Sequence, residues 1–201
     1  MGFFENYIIG LGPIFAYIAV FITIFAESGL LIGFILPGDS LLIPLGLLAS
    51  QGHFNLLILC VLTGVATIIG NQVGYAFGKS VGPALFNREN SRFFNREHLK
   101  KAHEFYETHG AQTLVIARFV PFARTFAPIL AGISEMNYRI FMIYNVLGGI
   151  LWTSGVMILG YTLGKVIPNI DHYILLITGI VFVLSILPAG IRYLMQRAAK
   201  A

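Results

Sequence analysis

Charge is scarce in this sequence. Its 201 residues hold 13 Lys and Arg and 9 Asp and Glu, 11% in all, where a soluble domain carries roughly a quarter. That scarcity excludes an ordinary water-soluble domain. Cysteine is nearly absent: Cys60 stands alone in an apolar run, which excludes a disulfide framework and a cysteine metal cage. Residues 1–26 contain no Lys or Arg and a single acid, Glu5, so the basic start of a cleavable signal peptide is missing and the segment reads as a retained first helix. Catalytic signatures are missing too. There is no H-E-x-x-H, no G-x-S-x-G and no phosphate-cradling Walker loop, and Ser40 has no histidine that the topology would bring to it. His53, His98, His103, His109 and His172 lie outside the apolar runs or at their ends, which argues against a metal site and leaves an intramembrane phosphatase without its nucleophile. The chain is therefore expected to be neither an enzyme nor a carrier of a cofactor. The formal charge of +4 does not indicate nucleic acid, because about half the basic residues sit in one loop and the C-terminal tail, beside apolar segments.

What is present in quantity is apolar surface, with a mean hydropathy of +0.80. Stretches with little or no charge cover residues 7–26, 28–78, 110–134, 140–164 and 172–191, and an ordinary crossing needs about 20 apolar residues. The strongly polar region, residues 79–109, reads as a cytoplasmic loop. Within it Asn95 is placed to cap an amphipathic helix ending at Gly110, with Leu99, Ala102 and Tyr106 on one face and the pairs Glu97/Lys101 and Lys100/Glu104. Such a helix lies on the membrane surface or stands as a solvated loop helix.

Two apolar stretches are unsuited to plain spans. Residues 28–50 are broken at Pro37-Gly38 with Asp39 and Ser40 following, and residues 110–134 contain Arg118, Pro121, Arg124 and Pro128. Proline removes a backbone donor, and an ion at the bilayer centre costs roughly 2.5 to 3.5 kcal/mol on insertion scales. Both stretches are expected to be re-entrant helical hairpins. Charge placement agrees: with both re-entrant, ten basic residues lie on one face and Lys165 alone on the other, whereas full crossings would leave seven against four. The predicted fold is an all-α membrane protein, a single multi-pass domain over residues 1–201. It has four transmembrane crossings, two opposed hairpins and both termini cytoplasmic.

An internal repeat supports the hairpins from other residues. Gly74-Tyr75-Ala76-Phe77-Gly78-Lys79 returns as Gly160-Tyr161-Thr162-Leu163-Gly164-Lys165, and the prolines 37 and 44 return as 121 and 128. The offsets, 86 and 84 positions, nearly agree. The copies end on opposite faces of the predicted topology, which makes an inverted repeat, the arrangement that sets transporter sites near the midplane between broken helices.

Four charges then lie in apolar surroundings. Glu27 ends the first predicted crossing, Asp39 follows the first hairpin tip, and Arg118 and Arg124 stand before and at the second. Arginine offers a planar fork suited to carboxylate or phosphate, whereas a buried carboxylate exchanges protons. This assigns anion binding to Arg118 and Arg124, aided by Ser40 and Thr125 at half-helix N-termini, and proton exchange to Glu27 and Asp39. The bland reading makes the four charges two ion pairs that only lock the hairpins, and makes Ser40 and Thr125 simple caps. Pro37, Gly38, Pro121, Gly74 and Gly132 are read as hairpin and packing residues, and Asn71 and Asn145 as structural amides bridging broken backbone.

The motif set Glu27-Ser28-Gly29, Phe34-x-x-Pro37-Gly38-Asp39-Ser40, Gly70-Asn71-x-x-Gly74-Tyr75 and Arg118-Phe119-x-Pro121-x-x-Arg124, followed by Gly132, resembles the DedA family of bacterial inner-membrane proteins, which share a domain with eukaryotic lipid scramblases. The resemblance covers nearly the whole chain. It implies opposed re-entrant hairpins, roles for Glu27, Asp39, Arg118 and Arg124, dependence on the proton motive force, and movement of lipids. Undecaprenyl phosphate and phosphatidylethanolamine are the substrates it implies, for different members. The expected partners are thus a lipid phosphate, protons and the inner membrane, with a homo-oligomer left open. The expected function is translocation of a phosphate-bearing lipid, undecaprenyl phosphate first; a phospholipid (phosphatidylethanolamine) flippase or scramblase, a proton-coupled cation exchanger and a structural membrane protein are the competing readings.

Overall fold

The computed structural model describes residues 12–29, 38–86, 112–119 and 121–167, which are helical apart from short turns. The helices are α1 (Gly12–Gly29), α2 (Gly38–Ser50), α3 (Leu56–Phe86), α4 (Thr113–Ile116, continued by a 3-10 turn, Ala117–Phe119), α5 (Pro121–Ile133) and α6 (Tyr138–Val166). The amphipathic helix expected at 95–110 and the crossing expected at 172–191 lie outside the described residues.

The two long helices start in the same way. The Asn55 side chain accepts from the backbone N–H groups of Leu57 and Ile58 at 2.9 and 3.2 Å, and Asn137 from Arg139 and Ile140 at 3.0 and 3.4 Å, so each asparagine satisfies donors that the first helical turn leaves open. At 1.5 Å per residue α3 and α6 extend about 46 and 44 Å, enough to cross a hydrocarbon core of roughly 30 Å. Their apolar segments, Leu56–Val81 and Tyr138–Val166, are mostly unburied by the rest of the chain. Leu57, Val61, Val65 and Ile69 on α3, and Leu147, Ile150, Leu151 and Leu159 on α6, face outward. An apolar exterior of this kind is a lipid-facing surface. Helix α3 runs on to Phe86, so the first residues of the loop placed at 79–109 prolong a helix.

The short helices α2 and α5 have 13 residues each and reach about 20 Å, too little to cross alone. Helix α5 opens on Pro121, whose fixed φ and missing N–H suit a first helical position. Both helices stop in a Schellman turn. Gly52 (φ 87°) and Glu135 (φ 55°) take the left-handed position; His53 N–H donates to Leu48 O, and Met136 N–H to Ala131 O, at 3.1 and 3.0 Å. The chain then reverses into α3 and α6.

Each short helix packs on the long helix of the other half, α2 on α6 and α5 on α3. Glycines make this close. A Cβ on Gly46 would fall on the Met157 carbonyl, one on Gly160 on the Ile43 carbonyl, one on Gly132 on the Tyr75 carbonyl and one on Gly78 on the Ile129 carbonyl. Gly46 and Gly132, like Ile43 and Ile129, are 86 positions apart, the spacing of the sequence repeat. The two packings differ by one turn, since Ile43 sits on Gly160 whereas its counterpart Ile129 sits on Gly78, the counterpart of Gly164.

The direction of α1 relative to α3 differs from the one expected from sequence. If α1 crossed fully and residues 28–50 re-entered, α1 and α3 would be antiparallel. Instead they run parallel: Tyr17 Oη accepts from Asn55 N–H at 2.9 Å near the start of both, and a Cβ on Gly29 would lie 3.0 Å from Gly70 Cα further along both. Helix α1 therefore begins at the face where α3 begins and ends level with the middle of α3. Residues 30–37, which join α1 to α2, lie outside the described residues. No basic residue flanks α1, so the positive-inside count does not bear on its direction.

Candidate functional site

The arrangement brings Glu27, at the end of α1, to Arg124 in the opening turns of α5. Arg124 Nη2 donates to Glu27 Oε1 at 2.7 Å, with the glutamate side chain 6% and the arginine 25% exposed. A charge-assisted contact of this length in low-dielectric surroundings is strong, and removing one partner leaves the other charge buried. Glu27 thus stands in the last turn of α1, facing the opening turns of α5.

Arg118 lies on the 3-10 turn that precedes α5, itself buried. Its Nη2 donates to the backbone carbonyl and to Oδ1 of Asn145, at 3.2 and 2.9 Å. Asn145 Nδ2 in turn donates to the Ile68 carbonyl at 3.0 Å. The Asn71 amide has two settings. In one, Nδ2 donates to Asn145 Oδ1 at 2.8 Å. In the other, Nδ2 donates to the Ser28 carbonyl at 3.2 Å while Oδ1 accepts from Arg118 Nη2 at 2.7 Å and faces the like oxygen Asn145 Oδ1 at 2.8 Å. A Cβ on Gly148 would lie 2.7 Å from Arg118 Nε, so the guanidinium is seated on bare helix backbone. Among the described residues Arg118 meets amide and carbonyl oxygens and no carboxylate.

Two small clefts meet at these side chains. One, with about 220 Å³ of empty space, is lined by Asn71, Arg118, Arg124, Asn145 and apolar neighbours. The other, about 330 Å³, is lined by Glu27, Ser28, Thr67, Arg124, Thr125 and Trp152 among others.

Of the residues singled out from sequence, Glu27, Arg118, Arg124, Thr125, Asn71 and Asn145 converge here. Ser40 is buried in the first turns of α2, and Gly38 opens that helix. Pro37 and the side chain of Asp39 lie outside the described residues. Pro121 starts α5, and Gly132 packs on α3. A Cβ on Gly74 would find Ile129 Cγ1 and Pro128 Cβ at 3.5 and 3.6 Å, so it is Gly78 that carries the backbone contact in that half. The sequence reading missed Thr67 and the seat at Gly148. Thr67 stands one helical turn before Asn71, a spacing that puts both on one face.

A family model described as the VTT domain matches residues 36–162. Protein DedA of Escherichia coli strain K12 is 43% identical over 190 residues, covering 94% of this chain and 86% of that protein. The chain belongs to the DedA family. An uncharacterized membrane protein of Mycobacterium leprae is 45% identical over 171 residues, 85% of this chain and 76% of its own. The inner membrane protein YqjA of Escherichia coli is 35% identical over 149 residues, 74% and 68% of the two chains. No solved structure matches. The VTT match holds Arg118, Arg124, Asn71 and Asn145, while Glu27 precedes it, so in this DedA protein the carboxylate facing Arg124 comes from the segment ahead of the VTT match.

Proposed function

We propose that this protein translocates a phosphate-bearing lipid, undecaprenyl phosphate first among them, between the leaflets of the bacterial cytoplasmic membrane, with the passage linked to the proton gradient. One observation carries the reading: a buried arginine that meets neutral oxygens among the described residues, and a second arginine paired with a buried glutamate, line the same small clefts, inside an apolar exterior. Two fixed guanidinium forks suit the several oxygens of a phosphate. Glu27 holds Arg124 until an incoming phosphate competes for it; the freed carboxylate then takes a proton, which balances the charge carried. Asp39 serves the same exchange from the start of α2. No covalent bond is made or broken, and no cofactor takes part.

In this reading α1–α2 and α4–α5 are hairpins entering from opposite faces, related as an inverted repeat. Helices α3 and α6 cross, and residues 172–191 cross once more. The reciprocal packing of α2 on α6 and α5 on α3, at positions 86 apart, supports this arrangement. The polar loop and the C-terminus then lie in the cytoplasm, as the basic residues require.

Reconstitution in liposomes tests the function. Labelled undecaprenyl phosphate, phosphatidylethanolamine and an uncharged polyprenol are followed between leaflets, with and without a pH gradient. Faster passage of the polyprenyl phosphate, enhanced by the gradient, is expected. Equal rates for all three would refute phosphate recognition, and a preference for phosphatidylethanolamine would reassign the substrate.

A further inference from the structure

Helical threonines in this molecule have a common habit. The hydroxyls of Thr23, Thr63, Thr153 and Thr162 each donate to a carbonyl three or four residues back, at 2.8 to 2.9 Å, which is how a threonine in an apolar setting satisfies its own donor. Thr67 and Thr125 do not. Both are more than nine-tenths buried, neither makes a hydrogen bond among the described residues, and both line the cleft that holds Glu27, Arg124 and Trp152. They come from different halves of the molecule, α3 and α5, and Thr125 follows Arg124 directly. Neither hydroxyl oxygen is among the buried atoms left without a partner, so both reach the open space of the cleft, where they can donate to a group that enters it.

We propose that Thr67 and Thr125 are a pair of hydroxyl donors that bind the oxygens of the phosphate group recognised by Arg118 and Arg124, Thr67 from the first half and Thr125 from the second. The inference rests on the phosphate reading above and names the donors that complete it. Phosphate has only acceptors to offer once ionised, and a guanidinium fork engages two of its oxygens. The remaining oxygens need donors that add no charge, because a third cation would bind the anion too firmly to let it leave. Hydroxyls supply this, and their placement on both halves makes the full set of donors depend on how the halves sit together.

The experiment uses the tryptophan already in place. Trp152 is the sole tryptophan of the chain and lines the cleft, so its emission in the purified full-length protein reports occupancy during titration with farnesyl phosphate, inorganic phosphate and farnesol. The expected result is saturable binding of farnesyl phosphate and none of farnesol. Thr67→Val and Thr125→Val, nearly isosteric, should each weaken binding roughly ten-fold or more, the usual effect of a hydrogen bond to a charged group, and Thr67→Ser should restore it to within about two-fold. Saturation by inorganic phosphate with the same dependence on both threonines would uphold the donors and identify the free anion as sufficient. If Arg124→Lys weakens binding but both valine variants bind as wild type, the hydroxyls hold only water and the proposal falls while the phosphate reading stands. If farnesol binds as well as farnesyl phosphate, both fall. Thermal unfolding of each variant is measured alongside; for a valine variant that melts early, the comparison of Thr67→Ser with Thr67→Ala decides in its place.

Discussion

Arg124 faces a carboxylate and Arg118 faces amides, so the two should fail differently when altered. Lysine keeps the charge but loses the fork. Arg118→Lys gives up a donor group that meets two oxygens of Asn145 at once, and Arg124→Lys loosens the bond to Glu27. Each is expected to lower translocation roughly ten-fold or more while the protein accumulates in the membrane at its normal level, measured by quantitative blotting beside the liposome assay. Normal translocation in both variants would refute phosphate recognition by these side chains. Asn145→Leu removes the oxygen and the amide that link Arg118 to Ile68, and should cost about 1–3 kcal/mol, read as a lower unfolding temperature in detergent. At this scale the sequence told much: charged residues in apolar runs are costly enough that Glu27, Arg118 and Arg124 marked themselves. It did not tell which acid meets which arginine, because partners 97 positions apart are fixed by how α1 and α5 approach each other in the fold. Nor did it mark Thr67, since a threonine within a helical run is usually back-bonded and only its rotamer in the folded state shows otherwise.

Proline, glycine and asparagine set the elements. The breaks read at Pro37-Gly38 and Pro121 are where α2 and α5 begin, and the repeated GYxxGK segments lie on the long helices. The extent of the helices was less legible: α3 passes through Lys79 to Phe86 because a helix leaving the membrane does not stop at the first charge. The one-turn difference between the two packings was invisible, since both copies carry the same glycines. It makes a prediction about them. Gly78→Ala sets a methyl on the Ile129 carbonyl and should destabilise by about 1–3 kcal/mol, as overpacking does. Gly74→Ala meets side chains at 3.5 and 3.6 Å, ordinary contact, and should be neutral or gain up to about 1 kcal/mol from helix propensity. Thermal unfolding of the two variants separates them; equal losses would contradict the register described.

For the whole molecule, the proposed reading takes α1 as the ingoing arm of the first hairpin, with Glu27 set against α5. Its test is labelling from outside the cell in a Cys60→Ser background. A cysteine at Gly12 should label together with one at His53, whereas cysteines at Arg92 and Arg197 should label only from inside. Protection of residue 12 with labelling of residue 53 would restore α1 as a full crossing. The central claim is that the carboxylates of Glu27 and Asp39 carry the coupling proton. Glu27→Gln and Asp39→Asn mimic the protonated form, which neither holds an arginine by charge nor releases a proton. The direct measurement is translocation of labelled undecaprenyl phosphate in liposomes holding the double variant, with and without an imposed pH gradient. The expected result is slow passage that is the same in both conditions, beside wild-type protein that responds to the gradient. Gradient-driven translocation persisting in the double variant would show that the proton travels by another route and would contradict the mechanism.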